Sequence, residues 1–223
     1  MTCVRSSSTH RATSPVARVR GIIFDCDGVL FDSKEVNRRY YNALRCALGL
    51  PELSLAELEY AHMQTVSRAL ERIIPRDRMQ EVHEVRKELS YKDYIPYLKP
   101  AEGLYALLDT LRSRGVRMAV NTNRLDTMEV ILERFDLSMY FFPVITSARV
   151  VFPKPHPEGI HAILRAWKLG REEVRYIGDS KVDEITAIRA GVRFWAYGNE
   201  KLMAHRHIAD FWTLKNELVR EMA

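Results

Sequence analysis

Short apolar runs alternate with amphipathic segments along most of the chain. The first run, VRGIIFD at residues 19–25, is nearly continuous, and such a run predicts a strand buried on both faces of a parallel sheet. The same criteria predict strands over 116–121, 143–146, 174–179 and 192–197, and helices over 104–114, 126–134, 159–168, 181–190 and 213–221. Alternating strands and helices indicate an α/β fold with a doubly wound, Rossmann-like parallel sheet and helices on both faces.

The segment between the first two predicted strands is too long for a simple crossover. Thr122 lies 97 residues after Asp25, whereas a crossover between parallel strands needs only about a dozen residues. Helical patterns fill the interval: apolar residues recur at every fourth position from Val36 to Leu48, and a capping box begins at Ser54. We therefore expect an α-helical cap domain over residues 34–98, inserted into a core domain formed by residues 19–33 and 99–223.

The charge of the chain is concentrated at its start. Four of its basic residues and no acidic ones lie in the first 20 residues, and the remainder is nearly balanced, with 30 basic against 29 acidic residues. We expect a flexible basic tail at residues 1–18 and no nucleic-acid partner, because the rest of the chain lacks a basic excess. No apolar run approaches the roughly 20 residues of a membrane span, so no membrane partner is expected.

Cysteine usage favours a cytoplasmic protein. The chain has three cysteines, which are too few and too scattered for a disulfide framework or a zinc site: Cys3, Cys26 and Cys46. We expect a monomer or a homodimer that acts on a small molecule.

Polar clusters follow several of the predicted strands. They comprise an acidic pair, an Asn-Thr-Asn run, a lysine in a later loop, and a third cluster with two more aspartates: Asp25 and Asp27, Asn121 to Asn123, Lys154, and Asp179, Ser180 and Asp183. The carboxyl ends of parallel strands share one edge of a sheet, so these side chains are expected to meet there. Clustered carboxylates suit Mg²⁺. Together with a lysine, Mg²⁺ would neutralise a phosphate, while one carboxylate attacks phosphorus and another moves a proton.

The motifs DCDGV, NTN, KPHPEG and GDSKVD resemble, in this order, the four motifs of the haloacid dehalogenase-like (HAD) phosphotransferases. The resemblance spans about residues 19–221, and the inserted cap places it in the phosphoglycolate-phosphatase-like branch. It implies a Mg²⁺-dependent phosphatase that hydrolyses a small phosphorylated metabolite, phosphoglycolate-like or a sugar phosphate, through an aspartyl-phosphate. Arg124 departs from the pattern, since lysine is common at that position.

The resemblance assigns roles to the matching residues. Asp25 would be the nucleophile and Asp27 the general acid and base. Thr122 and Asn123 would hold the phosphoryl group, and Lys154 would neutralise it.

The same resemblance implies a metal site. Its Mg²⁺ ligands would be Asp25, the backbone carbonyl of Asp27, and Asp179. Ser180 and Asp183 would support that site from behind. Gly28 would permit the tight turn after the first strand and contact the phosphate.

The cap is expected to set substrate specificity. Four of its polar residues are substrate-contact candidates: Asn37, Arg38, His62 and Arg68. Of these, His62 and Arg68 form the preferred pair for a second anionic group.

Other functions of the same fold are alternatives. A hexose-phosphate mutase ranks second, because the cap arginine pattern of such mutases is absent around His62–Val66. Phosphonate hydrolysis is weaker, since it needs a cap lysine and residues 36–86 contain none. A catalytically silent binding protein would have lost the nucleophile, and dehalogenation would not need Asp179 and Asp183.

Overall fold

The computed structural model describes residues 18–221, so the tail predicted for residues 1–18 lies outside the described residues except for Arg18. Six parallel strands form one sheet in the order β5-β4-β1-β6-β7-β8, and two short strands pair separately. Their bounds are Gly21–Phe24 (β1), Phe31–Asp32 (β2), Lys99–Pro100 (β3), Arg117–Asn121 (β4), Val144–Ile145 (β5), Val174–Gly178 (β6), Arg193–Tyr197 (β7) and Arg206–Ile208 (β8). The predicted α/β class is confirmed.

Nine α-helices surround and cap this sheet within the described residues. Their bounds are Lys34–Ala47 (α1), Leu55–Met63 (α2), Val66–Ile73 (α3), Met79–Glu88 (α4), Leu104–Ser113 (α5), Met128–Arg134 (α6), Glu158–Trp167 (α7), Lys181–Ala190 (α8) and Phe211–Glu221 (α9). None of the helices in residues 18–221 combines the length and apolarity that crossing a bilayer requires.

Strand β1 separates two apolar layers. Ile22 and Phe24 belong to the cluster that contains residues of α5, α6 and α9, whereas Ile23 belongs to the cluster formed with α7 and α8. Successive strand residues point to opposite faces, and both faces of β1 are fully buried. This double burial explains why the run VRGIIFD is apolar without alternation.

Helices α1 to α4, called the cap below, pack around an apolar cluster of their own, to which Tyr40, Leu44 and Val82 belong. The capping box predicted at Ser54 is present, with the Glu57 amide and carboxylate both bonded to that residue. The antiparallel pair β2–β3 brings together the points where the chain leaves the sheet and returns to it.

The sheet register brings the polar clusters to one edge. Phe24 of β1 lies beside Val120 of β4 and Ile177 of β6. The chain continues from these three positions toward Asp25, Thr122 and Asp179 respectively. Three segments that are far apart in sequence therefore open into one crevice beneath the cap.

Candidate active site

Asp25 and Lys154 form a buried ion pair at the end of β1. Lys154 Nζ lies 2.8 Å from Asp25 Oδ1 and 2.7 Å from Asp183 Oδ1, and all three side chains are at least nine-tenths buried. Burial opposes the charged ammonium, but Asp183 and Asp25 outweigh it and raise the pKa of Lys154. Lys154 is therefore a fixed positive charge shared by two carboxylates.

Asp183 lies in the first turn of α8 and forms an ion pair with Lys154. The Tyr176 hydroxyl donates to Asp183 Oδ1 at 2.6 Å, and the Ser180 hydroxyl donates to Oδ2. Burial opposes ionisation, yet Lys154 and these hydroxyls lower the pKa of Asp183 below its ordinary value. Ser180 is also the N-cap of α8, so one local motif ends the loop and orients this carboxylate.

Asp179 lies against the turn that follows β1. A Cβ on Gly28 would lie 2.0 Å from Asp179 Oδ2, and Gly28 has a φ of +75°. The Asn199 amide donates to the Asp179 carbonyl at 2.9 Å. Only glycine suits this backbone conformation and this approach together, so Gly28 brings the turn and Asp179 into direct contact.

Three carboxylates converge into a group that could hold a metal ion. Oxygens of Asp25, Asp179 and Asp183 lie within 4.8 Å of one another. Burial, followed by the charge of Asp183, raises the pKa of Asp179 to about 7, and the same two causes raise the pKa of Asp25. The positive charge of one lysine does not balance the negative charge of three buried carboxylates. An all-oxygen donor set with surplus negative charge fits a hard divalent cation such as Mg²⁺.

Asp27 points away from this group toward Arg124. Its Oδ1 accepts a 2.6 Å hydrogen bond from Arg124 Nη2 and another from the Ser33 hydroxyl. Burial would raise the pKa of Asp27, but Arg124 and Ser33 outweigh it and lower the pKa. The side chain of Asp27 is thus separate from the convergent carboxylates, which include Asp183 instead.

The Asn-Thr-Asn run lines the cavity beside Asp25. Thr122 Oγ1 accepts from the Arg124 amide at 3.2 Å, and Asn123 Nδ2 donates to the Lys154 carbonyl at 3.3 Å. Asn123 Oδ1 is buried with no hydrogen-bond partner in the described part of the chain. These residues leave polar atoms at the position where a phosphoryl group would meet Asp25.

The cap closes this cavity from the opposite side. About 70 Å³ is available to the centres of water-sized molecules, against the roughly 10–15 Å³ that one water needs. Asn37, His62, Arg86 and Tyr91 supply polar cap walls. Such a space suits a small substrate.

The structure brings two of the four predicted cap candidates to the cavity and leaves two outside. Asn37 and His62 line it. Arg38 instead forms an ion pair with Glu35 at 2.8 Å, and Arg68 is exposed on α3. The preferred pair of His62 with Arg68 is therefore not formed around the cavity, because Arg68 follows the N-cap of α3 on the solvent side.

Sequence reasoning did not identify Arg86 and Tyr91 as cavity-lining residues and did not select Arg124 as a site residue. Arg86 lines the cavity from α4, and the Arg124 guanidinium carbon lies 5.0 Å from the centre of the Tyr91 ring. Arg124 and Tyr91 are 33 residues apart, so no local pattern links them. The one available signal was the arginine that replaces the usual lysine after the NTN motif.

Comparison with known proteins identifies the family. The model of the haloacid dehalogenase-like hydrolases matches residues 22–197. The chain belongs to this family, as the motif resemblance led us to expect, and its fold agrees with that membership.

Named relatives include phosphatases. The chain is 28% identical to a phosphoglycolate phosphatase of Aquifex aeolicus, over 80% of this chain and 86% of that protein. It is 31% identical to a phosphoglycolate phosphatase of Cereibacter sphaeroides, over 78% and 83% respectively. It is 25% identical to a pyrophosphatase of Anoxybacillus flavithermus, over 78% and 81%.

Solved structures agree with the fold. A HAD-superfamily hydrolase of subfamily IA from Geobacter sulfurreducens superposes with a TM-score of 0.78 at 32% identity, over 91% of this chain and 99% of that one. A β-phosphoglucomutase from Clostridium difficile also superposes with a TM-score of 0.78, over 91% and 96%, but at 18% identity this shows the fold alone.

Proposed function

We propose that this hydrolase is a Mg²⁺-dependent phosphatase of a small phosphorylated metabolite, phosphoglycolate-like or a sugar phosphate. The observation that carries the proposal is the buried pair of Asp25 and Lys154, 2.8 Å apart, in a cavity that Thr122 and Asn123 also line. A nucleophile, a fixed cation and polar phosphate contacts are thereby combined at one sheet edge.

Asp25 would attack phosphorus through Oδ2. Lys154 and the amide of Cys26 both hold Oδ1, at 2.8 and 2.7 Å, which fixes the rotamer of the carboxylate. The new bond joins Asp25 to phosphorus while the bond from phosphorus to the leaving oxygen breaks, and Asp27 in its protonated form gives that oxygen its proton. An aspartyl-phosphate results.

Hydrolysis of the aspartyl-phosphate would use Asp27 in the reverse sense. Ionised Asp27 takes a proton from the attacking water, the bond between phosphorus and Asp25 breaks, and inorganic phosphate leaves. The ion pair with Arg124 favours this ionised form of Asp27. The closed cap would exclude other water from the aspartyl-phosphate.

Mg²⁺ would be held by Asp25 and Asp179, with Asp183 and the backbone carbonyl of Asp27 as further oxygens. When bound, it would neutralise charge on the transferred phosphoryl group. The convergence of three carboxylates supports this assignment.

The test is phosphate release by the purified protein with Mg²⁺. A panel of phosphoglycolate, sugar phosphates, nucleotides, pyrophosphate and phosphonoacetaldehyde covers the candidate substrates. We expect one strong preference among the phosphate monoesters. Asp25→Asn should abolish release, whereas Asp32→Asn, at an exposed aspartate on β2, should leave it unchanged. Substantial turnover by the Asp25 variant in clean protein would refute the mechanism.

A hexose-phosphate mutase is the second candidate, and Arg86 is the observation that favours it. A mutase must hold a second phosphate under the cap, and Arg86 is a cavity-lining cap cation. Phosphorus NMR of glucose 1-phosphate incubated with enzyme and Mg²⁺ separates the two. Conversion to the 6-phosphate would favour the mutase, and release of inorganic phosphate alone would favour the phosphatase.

A further inference from the structure

One chain of hydrogen bonds connects the core to the cap. Arg124 Nη2 donates to Asp27 Oδ1 at 2.6 Å and to the Tyr91 hydroxyl at 3.0 Å. The Tyr91 hydroxyl donates to Asn37 Oδ1 at 2.6 Å, and Asn37 Nδ2 lies 2.9 Å from His62 Nδ1. The chain thus begins at a catalytic aspartate and ends at a histidine that lines the cavity.

The direction of every bond in this chain follows from its first member. A guanidinium only donates, so the Tyr91 oxygen accepts from Arg124 and its own proton goes to Asn37 Oδ1. The Asn37 amide nitrogen then faces His62 and donates to Nδ1. A neutral imidazole whose Nδ1 accepts carries its proton on Nε2.

We propose that this chain fixes His62 as a neutral imidazole protonated at Nε2, and that His62 selects substrates with an acceptor oxygen on the group released from phosphate. The acceptor would be a carboxylate or a hydroxyl oxygen. The proposal rests on the phosphatase function and narrows the substrate class of the same cavity.

The free donor of His62 supports this assignment. Nε2 is buried and has no hydrogen-bond partner within residues 18–221, although His62 lines the cavity. A buried donor without a partner is costly, and an oxygen supplied by the substrate would remove that cost. Burial also lowers the pKa of His62, which favours the neutral ring.

The requirement for Arg86 distinguishes the two kinds of acceptor. It also lines the cavity and makes no ion pair in the part of the chain that the structure describes. A neutral His62 supplies a hydrogen bond but no charge, so a carboxylate would use both side chains and a hydroxyl would use His62 alone. The two acceptors therefore differ in their dependence on Arg86.

The tautomer is tested by NMR without any turnover. Nitrogen spectra of protein labelled at histidine, with His62 assigned from His62→Gln, should show the proton on Nε2. Tyr91→Phe keeps the ring beneath Arg124 but removes the hydroxyl, so a protonated Nδ1 should appear. Tyr94→Phe is the matched control, because Tyr91 and Tyr94 both pack on Tyr40. A proton on Nδ1 in the unmodified protein, or equal spectra for both tyrosine variants, would overturn the proposal.

Selectivity is tested by kinetics on matched substrates. Phosphoglycolate carries a carboxylate, 2-hydroxyethyl phosphate a hydroxyl, and ethyl phosphate neither. His62→Leu should lower kcat/KM about 10- to 100-fold for an acceptor-bearing substrate and less than about twofold for ethyl phosphate. His83→Leu, at an exposed cap histidine, should change neither. Equal losses on all three substrates would refute the selective role of His62.

Arg86→Ala completes the experiment. A loss of kcat/KM that is confined to phosphoglycolate would identify a carboxylate as the acceptor. If kcat/KM for phosphoglycolate is unchanged, the acceptor is a hydroxyl. Absence of turnover on every substrate by the unmodified enzyme would count against the phosphatase function itself, whereas the NMR result would still decide the tautomer of His62.

Discussion

At the scale of single residues, Gly28 is the tightest constraint in the site. Its φ is +75°, and a Cβ there would lie 2.0 Å from Asp179 Oδ2. We predict that Gly28→Ala lowers kcat about 100-fold, because a displacement of Asp179 by about 1 Å disturbs the reacting geometry. Steady-state phosphate release at saturating Mg²⁺ measures the effect.

Gly49→Ala is the matched control for this prediction. Gly49 has a similar φ of +66°, but nothing lies within 4 Å of its added Cβ. Both variants should lose roughly 1–2 kcal/mol in urea unfolding from the left-handed backbone. Only Gly28→Ala should lose activity, and equal kcat values for the two variants would show that contact with Asp179 is unimportant.

The residues of the site differ in how far their placement can be predicted from the sequence immediately around them. Asp25, Thr122 and Asp179 could be predicted from sequence, because each directly follows a recognisable strand. The pairing of Arg124 with Tyr91 could not, since it joins a core loop to a segment 33 residues earlier in the chain. The cap candidates show the same limit. Helical spacing predicts which residues share one face of a helix, but it does not predict whether that face meets the cavity.

At the scale of elements, the long strands and helices and the short strand β5 were predictable, whereas three other short strands were not. The capping box at Ser54 and the helix over Lys181–Ala190 agree with their sequence patterns. Strand β8, Arg206–Ile208, was missed, because three residues are too few to show alternation. The pair β2–β3 was missed for the same reason, with two residues in each strand.

The cap helices also decide which arginine serves the cavity. Arg86 on α4 lines it, whereas Arg68 on α3 is exposed. For an anionic substrate we predict that Arg86→Ala lowers kcat/KM about 10- to 100-fold, because a hydrogen bond to a charged group is lost. The loss should lie mainly in KM, since Arg86 would bind the anionic group equally in the ground state and in the transition state.

Arg68→Ala tests the placement of the two helices. It removes the same charge from the same domain, and we expect less than about a twofold change in kcat/KM. A larger loss from Arg68→Ala than from Arg86→Ala would mean that α3, and not α4, faces the substrate. Kinetics with one common substrate for both variants makes the comparison direct.

At the scale of the whole molecule, the cavity combines one set of groups from the sheet edge with another from the cap helices and the segment after them. The core supplies the carboxylates and Lys154, and the cap supplies Asn37, His62 and Arg86. Because β2 and β3 pair side by side, both cap connections lie at one place beside the sheet. The cavity is therefore complete only where residues of the cap helices meet the edge of the sheet.

We expect the stability of the whole protein to depend on pH and on metal through the carboxylate cluster. The pKa of Asp179 is about 7 in the folded protein, above its ordinary value of 3.8. The metal-free fold thus binds this proton more tightly than the unfolded chain. The stabilisation that comes from this bound proton is complete below about pH 4 and is lost as the pH rises through about 7.

A Mg²⁺ ion bound at this cluster would displace that proton, so we expect its stabilising effect to increase with pH. Between pH 6 and pH 8 we predict a rise of about tenfold in apparent Mg²⁺ affinity, because Asp179 changes from mostly protonated to mostly ionised. Thermal unfolding with subsaturating Mg²⁺, compared with chelator at each pH, should show a larger Tm increase at pH 8. Asp179→Asn removes both the ligand and the titrating group, so its Tm should respond little to Mg²⁺ at either pH. A Mg²⁺ effect on the unmodified protein that is equal at both pH values, or larger at pH 6, would mean that Asp179 does not hold the metal as a titrating ligand.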